Sequence, residues 1–514
     1  MSAARTQHAT AEGGAAGARS GGGRPPAPRP FWVAGQPRAG HGALTVRSPW
    51  DDSPVGAHGV PGPQDVEDAV AAASAVAESF ASCPVHVRAD ALAAVSAAIA
   101  ARSAEIADLI TAENGKPIRW SRLEVSRAVS VFRLAAEEAR RLDATVQRLD
   151  TDPSGVGRLA LTTRHPRGPV LAIAPFNFPL NLVAHKVAPA LAVGAPVVVK
   201  PAPATPLTAL LLGDLLADTG LPAGSWSVLP VGNEVMSPLV MDSRLPVVSF
   251  TGSDAVGWPL LDSVPRKHVV LELGGNAGVL VTDDWAATGR PGDGPDLTVL
   301  AAAADRIATF ATYQAGQSCI AVQRIYVDDS VAEEFLPLLT DAFSARRTGD
   351  PRLPDTEVGP MTSADAARRV QAWVQEAVAA GARVLCGGGP ADGATYPPTL
   401  LTDCPPDARV VRDEVFGPVA VVERVDGFEA GLDALDDTRF GLQAGVFTRR
   451  TDRAFRARDR LHAGGVVVGD VPSYRADQVA YGGQRASGTG REGVRSAMAD
   501  LTVERSLVLS GLLG

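Results

Sequence analysis

The sequence predicts an α/β protein built around two parallel sheets. Three observations carry this expectation. From residue 169 onward, short apolar runs alternate with helical segments, which is the rhythm of βαβ units. A second series of such runs begins after Cys319. The chain has 514 residues, more than one ordinary core accommodates, so two or three domains are expected.

The elements follow in order. Residues 1–30, "MSAARTQHATAEGGAAGARSGGGRPPAPRP", are rich in Gly, Ala and Pro and lack the apolar core of a signal peptide, so they read as a disordered tail. Residues from about 64 to 148 read as long helices with apolar residues at 3.6-residue spacing, and Gly115 and Pro117 act as a stop signal. "RLALTTRHP" alternates like an exposed hairpin strand. The first series of buried strands is "PVLAIAPF", "APVVVK", "WSVLP", "PVVSFTG", "HVVLEL" and "AGVLVT", with helices such as "TPLTALLLGDLLADTG" between most of them. The second series is "QRIYVD", "ARVLC", "PVAVVERV", "AGVFTR" and "GGVVVGD". The end, "LTVERSLVLSGLLG", is an apolar strand with no evident partner inside either domain.

Composition narrows the function classes. A net charge of −9 and the lack of any basic block argue against a nucleic-acid partner. No apolar run reaches the ~18 residues of a membrane span. Cys83, Cys319, Cys386 and Cys404 lie far apart, with no CxxC or Cys/His pattern, so neither a disulfide framework nor a metal site is expected, and the compartment reads as cytoplasmic. Of 48 Lys+Arg only four are lysines: Lys116, Lys186, Lys200 and Lys267. Either arginine cannot replace them, or they are survivors of a coding bias.

Several segments carry chemistry. "YQAGQSCIAV" sets Cys319 among small residues, as a packing thiol or as an exposed nucleophile. "HVVLELGGN" carries Glu272 inside an apolar strand, just before Gly274 and Gly275, where burial would raise its pKa toward that of a working base. "IAPFNFPLNL" offers the amide of Asn177 as an oxyanion donor. In "FTGSDAVGW", Ser253 begins a helix whose free amides suit a phosphate. "VVVKPAPATP" points Lys200 out of a sheet's carboxyl edge, as a ligand cation or as a surface lysine before a turn. "RDEVFGPVAVV" sets Glu414 and Phe416 before a Gly-Pro turn. The lone G-x-G-x-x-G, Gly488, Gly490 and Gly493, is too near the end to open a βαβ unit and reads as a turn.

Cys319 with Gly316 and Gln317, Glu272 in "LELGGN", and Asn177 in "APFNFP" together resemble the aldehyde dehydrogenase superfamily. "KPAPATP", "FTGS", "EVFGP" and "SGTGREG" support the resemblance in order and spacing, from about residue 31 to the end. It implies the aldehyde dehydrogenase fold, with a Rossmann-like NAD(P)-binding domain (31–145 and 168–273) and an α/β catalytic domain (274–495). A bridging β-hairpin arm (146–167 and 496–514) would pair subunits into a homodimer or homotetramer. The implied roles are Cys319 as nucleophile, Asn177 as oxyanion donor and Glu272 as the base that activates water. The same resemblance places Lys200, Ser253, Gly232, Phe176, Glu414 and Phe416 around NAD or NADP, and Lys186 and Glu492 near a proton path. Pro203 stands where NAD-preferring relatives often carry a glutamate, which leaves NADP use open.

"APFNFPLNLVAHKVAPALA", "EVSRAVSVFRLAAEEARRL" and "GDVPSYRADQVAYGG" look most like the lactaldehyde dehydrogenase-like branch, which includes phosphonoacetaldehyde dehydrogenase-like enzymes and acts on small, often anionic aldehydes. Tyr474, Arg475 and Tyr481 fall in the loop over the substrate mouth. Arg475 and Tyr481 are the expected substrate-binding residues, with an arginine fork for the anionic end. A rim arginine paired with Asp477 is the bland alternative for Arg475. Two other functions remain for the chain: a coenzyme A-acylating enzyme, against which Glu272 speaks, and a catalytically silent homologue, against which the intact Cys319, Glu272 and Asn177 speak.

Overall fold

The structure is a computed structural model that describes residues 27–287 and 295–511. The expected tail therefore lies outside the described residues as far as residue 26. The chain is already tied down at Arg29, one residue before the expected end of the tail. Its N–H donates to Ala57 O at 2.8 Å, and its guanidinium pairs with Asp214 at 3.1 Å.

The first sheet has eight strands in the order Gly488–Thr489, His268–Glu272, Val247–Thr251, Val170–Ile173, Val197–Lys200, Trp226–Val228, Phe31–Val33, Gln36–Arg38. The five strands from His268–Glu272 to Trp226–Val228 are mutually parallel. They read as continuous apolar runs because helices cover both faces of such a sheet. The helix Asn181–Val193 is buried along its whole length, and Pro206–Ala217 nearly so. The N-terminal helices Pro63–Ala81, Val85–Ala101, Ser103–Asn114 and Ile118–Ala139 complete this layer. Gly115 takes φ +75° as the C-cap of Ser103–Asn114, and Pro117 caps the next helix, as the stop signal implied. The helical reading runs too far at its end, because Thr145–Arg148 is a strand. Its partner Arg158–Pro166 lies downstream, and no local preference could reveal that pairing.

The second sheet has seven strands: Arg383–Cys386, Thr399–Thr402, Val419–Val425, Arg324–Asp328, Gly278–Val281, Gln443–Phe447, Gly465–Val468. All neighbours are parallel except the edge strand Arg383–Cys386. "AGVLVT", which closes the first series in the sequence, sits instead in the middle of this sheet, between Arg324–Asp328 and Gln443–Phe447. The sequence reading also lacks Thr399–Thr402, a short buried strand.

The orphan C-terminal strand has a partner. Thr502–Ser510 pairs antiparallel with Arg158–Pro166 along its full length, and Thr145–Arg148 completes a separate three-stranded sheet. The expected arm segment 496–514 begins inside the helix Val494–Asp500, which packs on Asn181–Val193 and Ile118–Ala139 as well as against the arm strand Thr502–Ser510. Residues 512–514 lie outside the described residues. Likewise Gly488–Thr489, expected in the catalytic segment 274–495, extends the edge of the first sheet. Of the G-x-G-x-x-G glycines, Gly488 (φ +132°) therefore lies in a strand rather than the expected turn, while Gly490 (φ +83°) follows that strand and Gly493 (φ +90°) precedes the helix Val494–Asp500.

One buried pair anchors the first layer. Glu124 Oε1 accepts from the Leu180 and Asn181 amides at 2.9 and 3.0 Å, where the helix Asn181–Val193 begins. Its other oxygen bonds Lys116 Nζ, which lies 4.1 Å from the Phe178 ring centroid. Both side chains are fully buried. Glu124→Ala leaves a buried ammonium and two amides without partners. We expect it to lower unfolding free energy by about 3–5 kcal/mol, read from denaturant titration.

Candidate active site

The first sheet aligns its chemistry at one edge. Ile173 lies opposite Lys200 and Phe250, and Thr251 lies opposite Glu272. The segments that leave these strand ends carry Phe176 and Asn177, Lys200, Ser253 and Glu272, and Gly232 follows the neighbouring strand Trp226–Val228. Ligands of open α/β sheets bind in this crevice, beyond the carboxyl ends of the strands.

The residues expected around the dinucleotide have the following surroundings. Ser253 is the N-cap of the helix Asp254–Ser263, and its hydroxyl caps no backbone amide, so the helix start stays open to an anion. Lys200 is buried, donates to Asn233 Oδ1 at 3.0 Å, and has its pKa lowered by burial. A side chain at Gly232 would collide with the Glu234 carboxylate at 2.1 Å. Glu414 Oε1 accepts from Gly275 N at 2.9 Å, and burial pushes its carboxyl up to about 7. Phe416 holds φ +48°, a strained value for a bulky residue, and its ring meets that of Phe176 edge-on at 5.9 Å. Pro203 lines a cavity of about 260 Å³ together with Arg47, His58 and Glu113.

The loop carrying Cys319 is wedged between this edge and the second sheet. Gln314 and Ala315 take φ +52° and +54°, and Gly316 takes +68°. A Cβ at Gly316 would lie 2.0 Å from Gly417 O, and one at Gly275 would lie 2.2 Å from Cys319 O. Asn177 Nδ2 donates to Gln317 O at 3.0 Å, and Gln314 Nε2 donates back to Asn177 O. That leaves Asn177 one further N–H. Asn114 Nδ2 supports the same segment through Phe176 O at 2.7 Å. Gln314 and Asn114 escaped the sequence reading, because an amide holding a backbone carbonyl leaves no motif.

Cys319 is half-buried, with Sγ 3.3 Å from the Tyr481 hydroxyl. Burial pushes its thiol up to about 12; the Tyr481 hydrogen bond and Arg475 act in the opposite sense, while Glu414 and Glu272 add to the rise. Both carboxylate oxygens of Glu272 are buried without a protein partner. Burial, then the Glu492 charge, hold its carboxyl well above the usual range against Arg475 and Lys186.

Arg475 is buried, and does not pair with Asp477. One of its nitrogens donates to Glu492 at 2.9 Å, and its guanidinium lies over the Tyr481 ring at 3.8 Å. Asp477 instead binds Arg127 at 2.7 Å and His185 at 3.1 Å. Lys186 reaches Ser249 at 3.0 Å and Glu492 at 3.4 Å. Burial pushes Glu492 up, but Lys186 and Arg475 outweigh it and leave its carboxyl below the usual range. Tyr474, from the same loop, is exposed and does not join the group.

The raised carboxyl of Glu414 makes a stability prediction. Its folded pKa lies above its unfolded one, so its contribution is fully present below about 4.5 and is lost as pH rises through about 7. Glu414→Gln keeps an acceptor for Gly275 N but cannot ionise. It should leave stability near pH 4 little changed and raise it at pH 8 by up to about 3 kcal/mol, measured by denaturant titration at both pH values.

Comparison with known proteins agrees with this geometry. The aldehyde dehydrogenase family matches residues 32–507. A 3-sulfolactaldehyde dehydrogenase of Priestia aryabhattai is 37% identical over 469 residues, covering 91% of this chain and 95% of that protein. The crystal structure of aldehyde dehydrogenase 21 from Physcomitrella patens, in complex with the reaction product succinate, is 38% identical and superposes with a TM-score of 0.90, covering 95% of this chain and 99% of that one. An NADP-dependent glyceraldehyde-3-phosphate dehydrogenase from Bacillus halodurans C-125, complexed with NADP, is 31% identical with a TM-score of 0.87, covering 94% and 99%. The chain belongs to the aldehyde dehydrogenase family and is an NAD(P)-dependent oxidoreductase of that fold.

Proposed function

We propose that the protein oxidises a short anionic or hydroxylated aldehyde to the free carboxylic acid, using NAD or NADP, with Cys319 as the nucleophile. The observation that carries this reading is one cluster. A half-buried thiol, an unpartnered buried carboxylate and a buried guanidinium meet at the edge of a dinucleotide-type sheet. The relatives support the substrate class: one is named for a sulfonated aldehyde, and another holds succinate, a product with a second carboxylate.

The geometry supports the following roles. Cys319 Sγ attacks the aldehyde carbon, and the carbonyl electron pair moves to oxygen. The free N–H of Asn177 and the Cys319 amide stabilise that oxyanion. A bound nicotinamide would supply the hydride acceptor; as the C–H bond gives up its hydride, the oxyanion pair re-forms the carbonyl and leaves a thioester on Cys319. Glu272 then takes a proton from water, which attacks the thioester and releases the acid. Its raised carboxyl suits a proton acceptor that works near neutral pH. Lys200, Ser253, Gly232 and Glu414 would hold the dinucleotide, with Phe176 and Phe416 packing beside it. Arg475 holds the anionic end of the substrate with the fork edge that Glu492 leaves free. Lys186 and Glu492 carry protons behind the site. The three-stranded sheet exposes Val146, Leu507 and Val508, which suits pairing with a second copy in a dimer or tetramer. The four unpaired cysteines suit the cytoplasm.

The test is the formation of NADH and NADPH over a panel of aldehydes. Parent protein should turn over short anionic aldehydes. Cys319→Ser should keep its fold and its cofactor binding but lose nearly all oxidation, since a serine hydroxyl has no comparable ionised fraction. Full activity in the serine variant overturns the assignment.

Arg475→Leu should raise KM for anionic aldehydes and change KM for propanal little. Loss of a charge-assisted contact corresponds to about tenfold or more in relative kcat/KM. Arg475→Lys should recover only part of this, because a point charge cannot make a paired contact. An unchanged ratio of charged to neutral substrates removes the clamp role.

A further inference from the structure

We propose that the Tyr481 hydroxyl is a further catalytic group, which donates to the Cys319 sulfur and stabilises the thiolate that attacks the aldehyde. This rests on the reading of Cys319 as nucleophile and adds a role to a residue otherwise expected only to line the substrate. The sulfur stands in an apolar corner formed by Ile320, Leu442 and Tyr481. Within that corner the Tyr481 hydroxyl, 3.3 Å away, is the polar group that meets it.

Its direction is fixed from three sides. The Tyr481 backbone exchanges hydrogen bonds with Glu492, at 2.9 and 2.6 Å. The ring lies against the Arg475 guanidinium at 3.8 Å, and Arg475 is held by Glu492. The Tyr313 hydroxyl, which could compete, is turned onto Ser318 at 2.5 Å. Among the charged groups around the sulfur, Arg475 favours a thiolate, and Glu272 and Glu414 oppose it. Lys186 and Glu492 stand behind Glu272. A half-buried thiolate beside Glu272 and Glu414 needs a hydrogen-bond donor, and an uncharged hydroxyl supplies one at little desolvation cost.

The step balances. The Cys319 S–H proton passes to ionised Glu272 and onward toward Glu492 and Lys186, which returns Glu272 to the carboxylate that later takes a proton from water, and the sulfur keeps the electron pair. Tyr481 keeps its own proton and directs it at the sulfur. When the C–S bond forms from that pair, the hydrogen bond is released.

Alkylation of Cys319 by iodoacetamide tests this without any need for turnover. Below the thiol pKa its rate rises about tenfold per pH unit, so losing one charge-assisted hydrogen bond should slow it about tenfold at each pH. Tyr481→Phe keeps the ring under Arg475 and removes only the hydroxyl. We expect its alkylation, followed at Cys319 by peptide mass spectrometry, to fall by that factor, and kcat to fall more than KM. Replacing Tyr481 with a ring-fluorinated tyrosine, a stronger donor, should speed alkylation, and decides the matter if the phenylalanine variant does not fold. Unchanged alkylation in a folded Tyr481→Phe protein overturns the proposal, as does unchanged alkylation in the fluorinated one. Inactive Cys319→Ser alongside either result would still leave Cys319 as the nucleophile.

Discussion

The loop that carries Cys319 has no slack, and the rest of the site is arranged around that. Two backbone approaches set it: Gly275 against the Cys319 carbonyl and Gly316 against the Gly417 carbonyl. Any side chain at either glycine would meet backbone, which cannot move aside as a flexible side chain can. Gln314 and Ala315 accept left-handed backbone to bring the loop there, at a cost of order 1–3 kcal/mol each. The offset comes from contacts that cross between the two sheets, namely Gln314 and Asn177 bonding each other's segments and Glu414 gripping Gly275. The crevice at the edge of the first sheet and the thiol are therefore held in one register.

Electrostatics adds a second cost. Glu272, Glu414 and Cys319 are all shifted by burial toward their neutral forms, so the resting site holds groups that would rather be in water. Glu492 goes the other way because Lys186 and Arg475 face it. Two carboxylates that share the same cations are thus pushed apart in acidity, one poised to take a proton and one kept ionised. A site of this kind is maintained against stability, and the fully buried Lys116–Glu124 pair and the apolar layers around Asn181–Val193 supply the compensation.

What was legible in the sequence follows from how local each signal is. The parallel strands are legible because a strand covered on both faces must be apolar throughout, as in "VLAI" and "VVVK". Sheet membership is not legible: "AGVLVT" reads like its predecessors, yet crosses into the second sheet, since pairing is decided by partners far along the chain. Thr145–Arg148 is invisible for the same reason. The lysines were more informative than their number suggests. Lys116, Lys186 and Lys200 are all buried on specific partners, and Lys267 donates to the Asp242 and Leu245 carbonyls, so each does internal work in a chain that otherwise uses arginine. The sequence reading could not choose a partner for Arg475. Asp477 is two residues away and already committed to Arg127 and His185, while Glu492 arrives from the turn that follows Gly490.

On the proposed reading, Arg475 has two duties that compete. Its charge favours the Cys319 thiolate, and the same charge would hold the anionic end of the substrate. Once an anion binds, it neutralises much of the field that Arg475 casts on the sulfur, so substrate recognition by itself would weaken the nucleophile. A hydroxyl donor is free of this conflict. Tyr481 carries no net charge to be neutralised, and its ring is held by the face of the guanidinium while the edge engages Glu492 and remains available to the substrate. Lysine could not divide its contacts in this way, because an ammonium has neither a face to stack nor a planar fork. The pairing of an arginine with a tyrosine at the mouth, rather than two apolar residues, is what lets one site accept a negatively charged aldehyde and still keep its thiolate.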